Sequence, residues 1–101
     1  MQHIGLKREH EDGSLLSIFD EGKSIDLRIF HHDISTTICL RFIDPYGDTI
    51  FNQLQLPVVI QEIEALKAST TDSEFSESVA RVIEFLKDSE EVHVHVRFVG
   101  D

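Results

Sequence analysis

The closing stretch VHVHVRFV, residues 92–99, carries the clearest structural signal in this chain. Apolar and polar residues alternate strictly, which is typical of a β-strand with one buried and one open face. The even-numbered side chains are predicted to face the core: Val92, Val94, Val96 and Phe98. The odd-numbered side chains are then predicted to point away from it: His93, His95 and Arg97.

Two amphipathic helices are predicted before this strand. Pro57 suits the first turn of a helix, and apolar residues recur at helical spacing from there to about Ala68. Thr71 with Glu74 fits a capping box at the start of a second helix, which runs to Lys87. Its apolar residues form one stripe: Phe75, Val79, Val82, Ile83 and Leu86. Each helix therefore has one face to bury against a sheet.

The first half of the chain predicts strands joined by tight turns. The strands cover residues 15–19, 25–30, 36–44 and 49–54, and a weaker pattern marks another near residues 2–7. Gly22 allows a hairpin turn after the first of these, and Asp44-Pro45-Tyr46-Gly47-Asp48 forms a strong turn before the last. Consecutive strands tend to be neighbours, so these four are expected to form a meander.

Together these elements predict a single α+β domain over residues 1–101. The architecture is a two-layer sandwich of about five mostly antiparallel strands with two helices on one face, in the order β-β-β-β-α-α-β. The sequence does not determine the position of the closing strand in the sheet. Three positions are compatible with it: in the centre, beside the first strand, or at an edge.

Charge and composition exclude several classes of function. Nine Lys and Arg residues against 19 Asp and Glu give a formal charge of −10, which argues against binding nucleic acid or an anionic membrane. The single cysteine, Cys39, excludes an intramolecular disulfide and a multi-cysteine zinc site. No apolar run approaches the roughly 20 residues of a membrane span, and the first residues do not resemble a signal peptide. A cytoplasmic protein is expected.

No motif for catalysis or for a cofactor stands out. The sequence contains no G-x-S-x-G, P-loop or G-x-G-x-x-G pattern, so we expect neither enzyme activity nor a cofactor. His93 and His95 could ligate zinc only with a third donor, such as His31, His32 or Asp33. Because no motif fixes that geometry, no metal site is predicted.

The predicted open face of the sheet collects cationic side chains. With the helices on the other face, strand alternation brings together five candidates for binding an anionic ligand: Arg28, Arg41, His93, His95 and Arg97. The same alternation adds Asp26, Thr37 and Cys39 to this face. The simpler interpretation is a solvated face on which Asp26 neutralises Arg28.

Residues 40–55, LRFIDPYGDTIFNQLQ, resemble a stretch found in a group of small bacterial proteins. The following helix and the closing residues 97–101 are similar too, so the resemblance covers about the last 60 residues. It implies no activity and no catalytic residue. It draws attention to the polar groups around this hairpin, for which partner binding is predicted: Tyr46, Asp48, Asn52 and Gln53.

The leading prediction of function is a small acidic, non-enzymatic interaction protein that binds another macromolecule, for example as an inhibitor or immunity-type protein. Residues 61–91 hold nine acidic and three basic residues, which favours a basic protein partner. The alternative is a binder of a small anionic ligand or metal on the open sheet face. A third hypothesis is a homodimer formed through a free sheet edge or that face.

Overall fold

The structure is a computed structural model and describes residues 4–19, 25, 39–44 and 46–100. Within them, one antiparallel sheet contains four strands: β1 (Gly5–His10), β2 (Leu15–Ile18), β3 (Asp48–Asn52) and β4 (Val94–Val99). The helices are α1 (Leu56–Ser69), α2 (Ser73–Lys87) and a short 3-10 helix, Leu40–Phe42. The predicted α+β class, with an antiparallel sheet and two helices, is confirmed.

The strand order β2-β1-β4-β3 resolves the position of the closing strand. β4 lies between β1 and β3 and pairs with both, with Phe98 opposite Leu6 and Val96 opposite Phe51. The strongest alternating sequence in the chain therefore occupies the centre of the sheet. The weak pattern near residues 2–7 does belong to a strand, but this strand extends from Gly5 to His10.

The core lies between the sheet and the two helices. Val94, Val96 and Phe98 are buried as the alternation predicts, whereas Val92 lies before the strand and is 65% exposed. Phe98 packs edge-on against the ring of Phe51 at a centroid distance of 5.6 Å. The helices contribute their apolar stripes to the same cluster: Leu56, Val59, Ile60, Ile63, Phe75, Val79, Val82, Ile83 and Leu86. Burying each of these large side chains contributes about 1.5–3 kcal/mol.

The strand predicted over residues 36–44 is wrong where the structure describes it. Leu40–Phe42 is a 3-10 helix, in which Leu40 is fully buried and Phe42 is 62% exposed. The cause lies on α1: the Glu62 Oε1 atom accepts hydrogen bonds from the backbone amides of Cys39 (3.0 Å) and Leu40 (3.2 Å). These bonds satisfy amides at the start of the short helix. Residues 36–38 lie outside the described residues.

The predicted meander is wrong at its last pair, whereas its earlier pairs involve residues outside the described part. β2 pairs with β1 across the turn that contains Gly13, and β3 pairs with β4 rather than with the residues before its own turn. The turn at residues 44–48 is present, with the Tyr46 amide donating to Asp44 Oδ1 at 2.8 Å. β4 forms backbone hydrogen bonds along both of its edges, with β1 on one side and β3 on the other, so β3 has its partner there. The predicted turn at residues 20–23 and strand residues 26–30 lie outside the described part.

The start of α2 differs from the predicted capping box by one residue. Asp72, not Thr71, is the N-cap, and its Oδ1 atom accepts from the amides of Glu74 (3.0 Å) and Phe75 (3.2 Å). A carboxylate at this position also interacts favourably with the helix dipole. The predicted helix and its buried stripe are otherwise confirmed.

Candidate functional site

Four large apolar side chains are exposed around the junction of β3, α1 and the loop before β4. Their exposed fractions are 62% for Phe42, 44% for Ile50, 79% for Leu54 and 65% for Val92. Leu54 lines two adjoining hollows, of about 180 Å³ on the Val92 side and about 430 Å³ on the side of Phe42 and Ile50. We call these four residues the Leu54 corner. Exposed apolar groups gathered in this way mark interaction surfaces.

A capping box holds Leu54 outside the core. Asn52 Oδ1 accepts from the amides of Leu54 (2.9 Å) and Gln55 (3.1 Å), and the Asn52 amide donates to Gln55 Oε1 at 3.0 Å. The two side chains thus satisfy each other's backbone at the turn that leads into α1. Since this turn is fixed, Leu54 cannot fold back onto the apolar face of the helix.

The loop before β4 forms the other side of the smaller hollow. His93 has a φ of 66°, a left-handed conformation that is uncommon for residues other than glycine. Its Nδ1 atom lies 2.7 Å from Glu11 Oε2, and the Glu11 amide donates to the His93 carbonyl at 2.7 Å. The β1–β2 turn therefore fixes the conformation that leaves the neighbouring Val92 in solvent.

The predicted open face of the sheet carries an ion-pair network, and it is not fully open there: the side chains of His95 and Glu9 are only 14% and 10% exposed. The carboxylate of Glu9 lies 2.9 Å from His95 Nε2 and accepts from Arg97 Nε at 3.0 Å. Arg97 also donates to Asp48 Oδ2 at 3.1 Å. His95 and Arg97 therefore share this face, as the alternation predicts, but each has a carboxylate partner.

The five predicted ligand-binding residues do not form one cationic patch among the described residues. Arg41 belongs to the 3-10 helix, where strand alternation does not apply, and its guanidinium lies 4.8 Å from the centre of the Phe42 ring. His93 lies in the loop and pairs with Glu11, while Cys39 is buried beside the 3-10 helix instead of facing outward. Arg28, with Asp26 and Thr37, is outside the described residues.

The four predicted partner-binding residues divide by role. Asn52 caps the turn before α1 and Asp48 pairs with Arg97, so both have structural tasks. Tyr46 is 73% exposed in the turn at residues 44–48, and Gln53 lines the smaller hollow beside Leu54. The structure therefore brings Asn52 and Gln53 to the Leu54 corner.

Four described ionisable groups have shifted pKa values, and those of Glu9 and Cys39 bear on the predicted site residues. Burial raises the pKa of Glu9, but hydrogen bonds and charge from His95 and Arg97 more than offset it, and the net shift is downward from 4.5. Burial, followed by the charge of Glu62, raises the pKa of the Cys39 thiol. A buried thiol with a raised pKa is a poor nucleophile.

The exposed apolar residues of the corner were not predicted from the sequence. One signal was readable: Asn52-x-x-Gln55 is a capping-box pattern, and it places Leu54 in a turn rather than in a strand. The exposure of Val92 had no local signal, because it depends on the contact between His93 and Glu11. No cluster of three or more His, Cys, Asp or Glu side chains suited to a metal ion occurs within the part of the chain that the structure describes.

No protein-family model, curated protein or solved structure matches this chain. In the described residues, neither helix has the length and apolar character needed to cross a membrane.

Proposed function

We propose that this chain is a non-enzymatic, cytoplasmic protein-binding domain that docks on its partner through the Leu54 corner, in the manner of an inhibitor or immunity-type protein. One observation carries the proposal: four large apolar side chains are 44% to 79% exposed around two hollows that share Leu54. Placing these groups against a partner removes apolar area from water, which is the dominant favourable term in most protein association.

Fixed geometry on both sides of the corner supports the same proposal. The capping box holds Leu54 and the contact of His93 with Glu11 holds the loop that carries Val92, so little conformational entropy is lost on docking. Hydrogen bonds fix the backbone around each exposed side chain. A side chain in a fixed position is better suited to recognition than one in a mobile turn.

A photo-cross-linking residue in place of Leu54 tests this function in cells. We expect a discrete covalent adduct with another polypeptide, and none when the same residue replaces Glu77, which is exposed on α2. Adducts of equal yield from both positions, or from neither, would count against docking at the corner.

The open sheet face supports the alternative, an anionic ligand, less well. His95 and Arg97 are adjacent there, but an anion would have to compete with Glu9 and Asp48 for them. Apart from His95, two carboxylates against one guanidinium give this network a formal charge of −1. Thermal unfolding with and without phosphate compares the two proposals, since only the alternative expects stabilisation.

A further inference from the structure

One exposed carboxylate lines the smaller hollow at the Leu54 corner, and two more precede Val92 in the chain without lining the hollow. Glu11 lines the hollow and its side chain is 61% exposed, while Glu90 and Glu91 are exposed immediately before Val92. We call these three residues the acidic rim: Glu11, Glu90 and Glu91.

Little positive charge balances this rim. Neither Glu90 nor Glu91 forms an ion pair with a residue that the structure describes, and the partner of Glu11 is a histidine. Arg8 donates to Ser89, the residue before Glu90, at 2.7 Å and to the Phe85 carbonyl at 3.1 Å, but it forms no ion pair with any of the three rim carboxylates. The apolar hollow therefore opens beside exposed negative charge.

We infer, resting on the proposed function, that the partner presents a basic amphipathic segment. It places an apolar side chain against Leu54 and Val92, and lysine or arginine side chains against the acidic rim. The apolar contact supplies affinity, and the charges supply steering and orientation. Because exposed charges are screened by salt, this association weakens as ionic strength rises.

The same charges argue against the other occupants of this corner. A second copy of the chain would bring a second acidic rim to the interface and a further formal charge of −10 to the complex. In a two-fold dimer the same patch meets itself, so the two rims would repel each other. An acidic partner meets the same repulsion at the rim.

Three synthetic peptides of equal length test the partner class by fluorescence anisotropy on the full chain. One carries Leu on one helical face and Lys on the other, the second has Glu in place of Lys, and the third has Ser in place of Leu. We expect the Leu/Lys peptide to bind at least about tenfold more tightly than either of the others, with affinity falling as salt is raised.

Variants locate the binding. Leu54→Ser is expected to weaken binding of the Leu/Lys peptide about tenfold, because it removes the apolar contact without adding charge. The pair Glu90→Gln and Glu91→Gln is expected to weaken it severalfold and to reduce its salt dependence. The matched control, Glu74→Gln with Glu77→Gln, makes the same charge change near the start of α2, about 15–20 Å along the helix from its end, and is expected to leave binding unchanged. Circular dichroism confirms that each variant is folded.

The outcomes separate this inference from the function on which it rests. A cross-link at Leu54 together with peptides that show no charge preference would overturn the basic partner and leave the protein-binding function standing. A cross-linked adduct that is a second copy of the chain would also overturn the inference of a basic partner. If neither a cross-link nor corner-dependent peptide binding is found, both proposals fail.

Discussion

Gly100 follows β4 and contacts the turn at residues 44–48. Its amide donates to the Gly47 carbonyl at 2.8 Å, which joins the end of the chain to the turn at residues 44–48. A Cβ atom at Gly100 would lie 2.6 Å from Gly47 N and 2.7 Å from the Asp44 carbonyl oxygen, closer than such atoms approach. The glycine is therefore required by close backbone packing, and no binding role is needed to account for it.

Gly100→Ala is expected to destabilise the fold by about 1–3 kcal/mol, the usual cost of overpacking a closely packed site. Because the atoms that the new methyl group meets are backbone, they cannot move aside as a flexible side chain would. Urea unfolding measures the change. Gly5→Ala is the control, since a Cβ atom at Gly5 has no neighbour within 4 Å, and this variant is expected to be neutral or slightly stabilising.

Cys39 is expected to react with a thiol reagent at least about tenfold more slowly in the native protein than in urea. Burial and the charge of Glu62 raise the pKa of this thiol, so little thiolate forms near neutral pH. The reaction reports on one site, because the chain has a single cysteine. Glu62→Gln should speed the native reaction; equal rates in native and unfolded protein would show that Cys39 is accessible.

The turn between β3 and α1 links fold to site, since the side-chain bonds of Asn52 in this turn also expose Leu54. Asn52→Ala is expected to cost about 1 kcal/mol of unfolding free energy, the typical net contribution of an intramolecular hydrogen bond. Asn52→Ser retains a side-chain acceptor and should restore most of the lost stability. Differential scanning calorimetry measures both changes. An alanine variant as stable as the native chain would show that the remaining bond, from the amide of residue 52 to Gln55 Oε1, is sufficient.

Elements with an uninterrupted period could be predicted from the sequence. The alternation of β4 and the stripe of α2 each identify their buried faces, and the structure confirms Val94, Val96, Phe75 and Val79 as core residues. The segment at Leu40 could not be predicted in the same way. Its apolar residues also alternate, but Glu62, more than twenty positions later, ties its amides into a 3-10 helix.

The candidate site was predictable only in part, for a related reason. Asn52, Gln53 and His93 were singled out by their residue types, and all three line the smaller hollow. Their surroundings depend on contacts across the chain: Glu11 meets His93 from 82 positions away, and Glu9 meets His95 from 86. Sequence alternation specifies which face a side chain occupies but not which charge lies opposite it on the neighbouring strand.

The charges of the whole molecule are arranged differently on the open sheet face and at the Leu54 corner. On the face, Glu9, Arg97 and Asp48 join β1, β4 and β3 in one network. At the corner, Glu90 and Glu91 stay exposed without an ion pair to any described residue. The paired charges of the network thus contribute to stability, whereas the exposed carboxylates can contribute to association. Acid should weaken the network by protonating Glu9.

Glu9→Gln is expected to cost about 1.5–3 kcal/mol at neutral pH, the usual value of a hydrogen bond to a charged group in a mostly buried site. The pKa of Glu9 is lowered by folding, so its ionised form stabilises the protein above the ordinary value of 4.5. This contribution is lost as the pH falls from that value through the lower folded-state pKa. Urea unfolding from about pH 7 to about pH 3 should therefore show the native chain and the variant converging in stability. Glu77→Gln controls for the lost charge; if the difference in unfolding free energy between the native chain and Glu9→Gln stayed the same at low pH, packing and not ionisation would account for the effect.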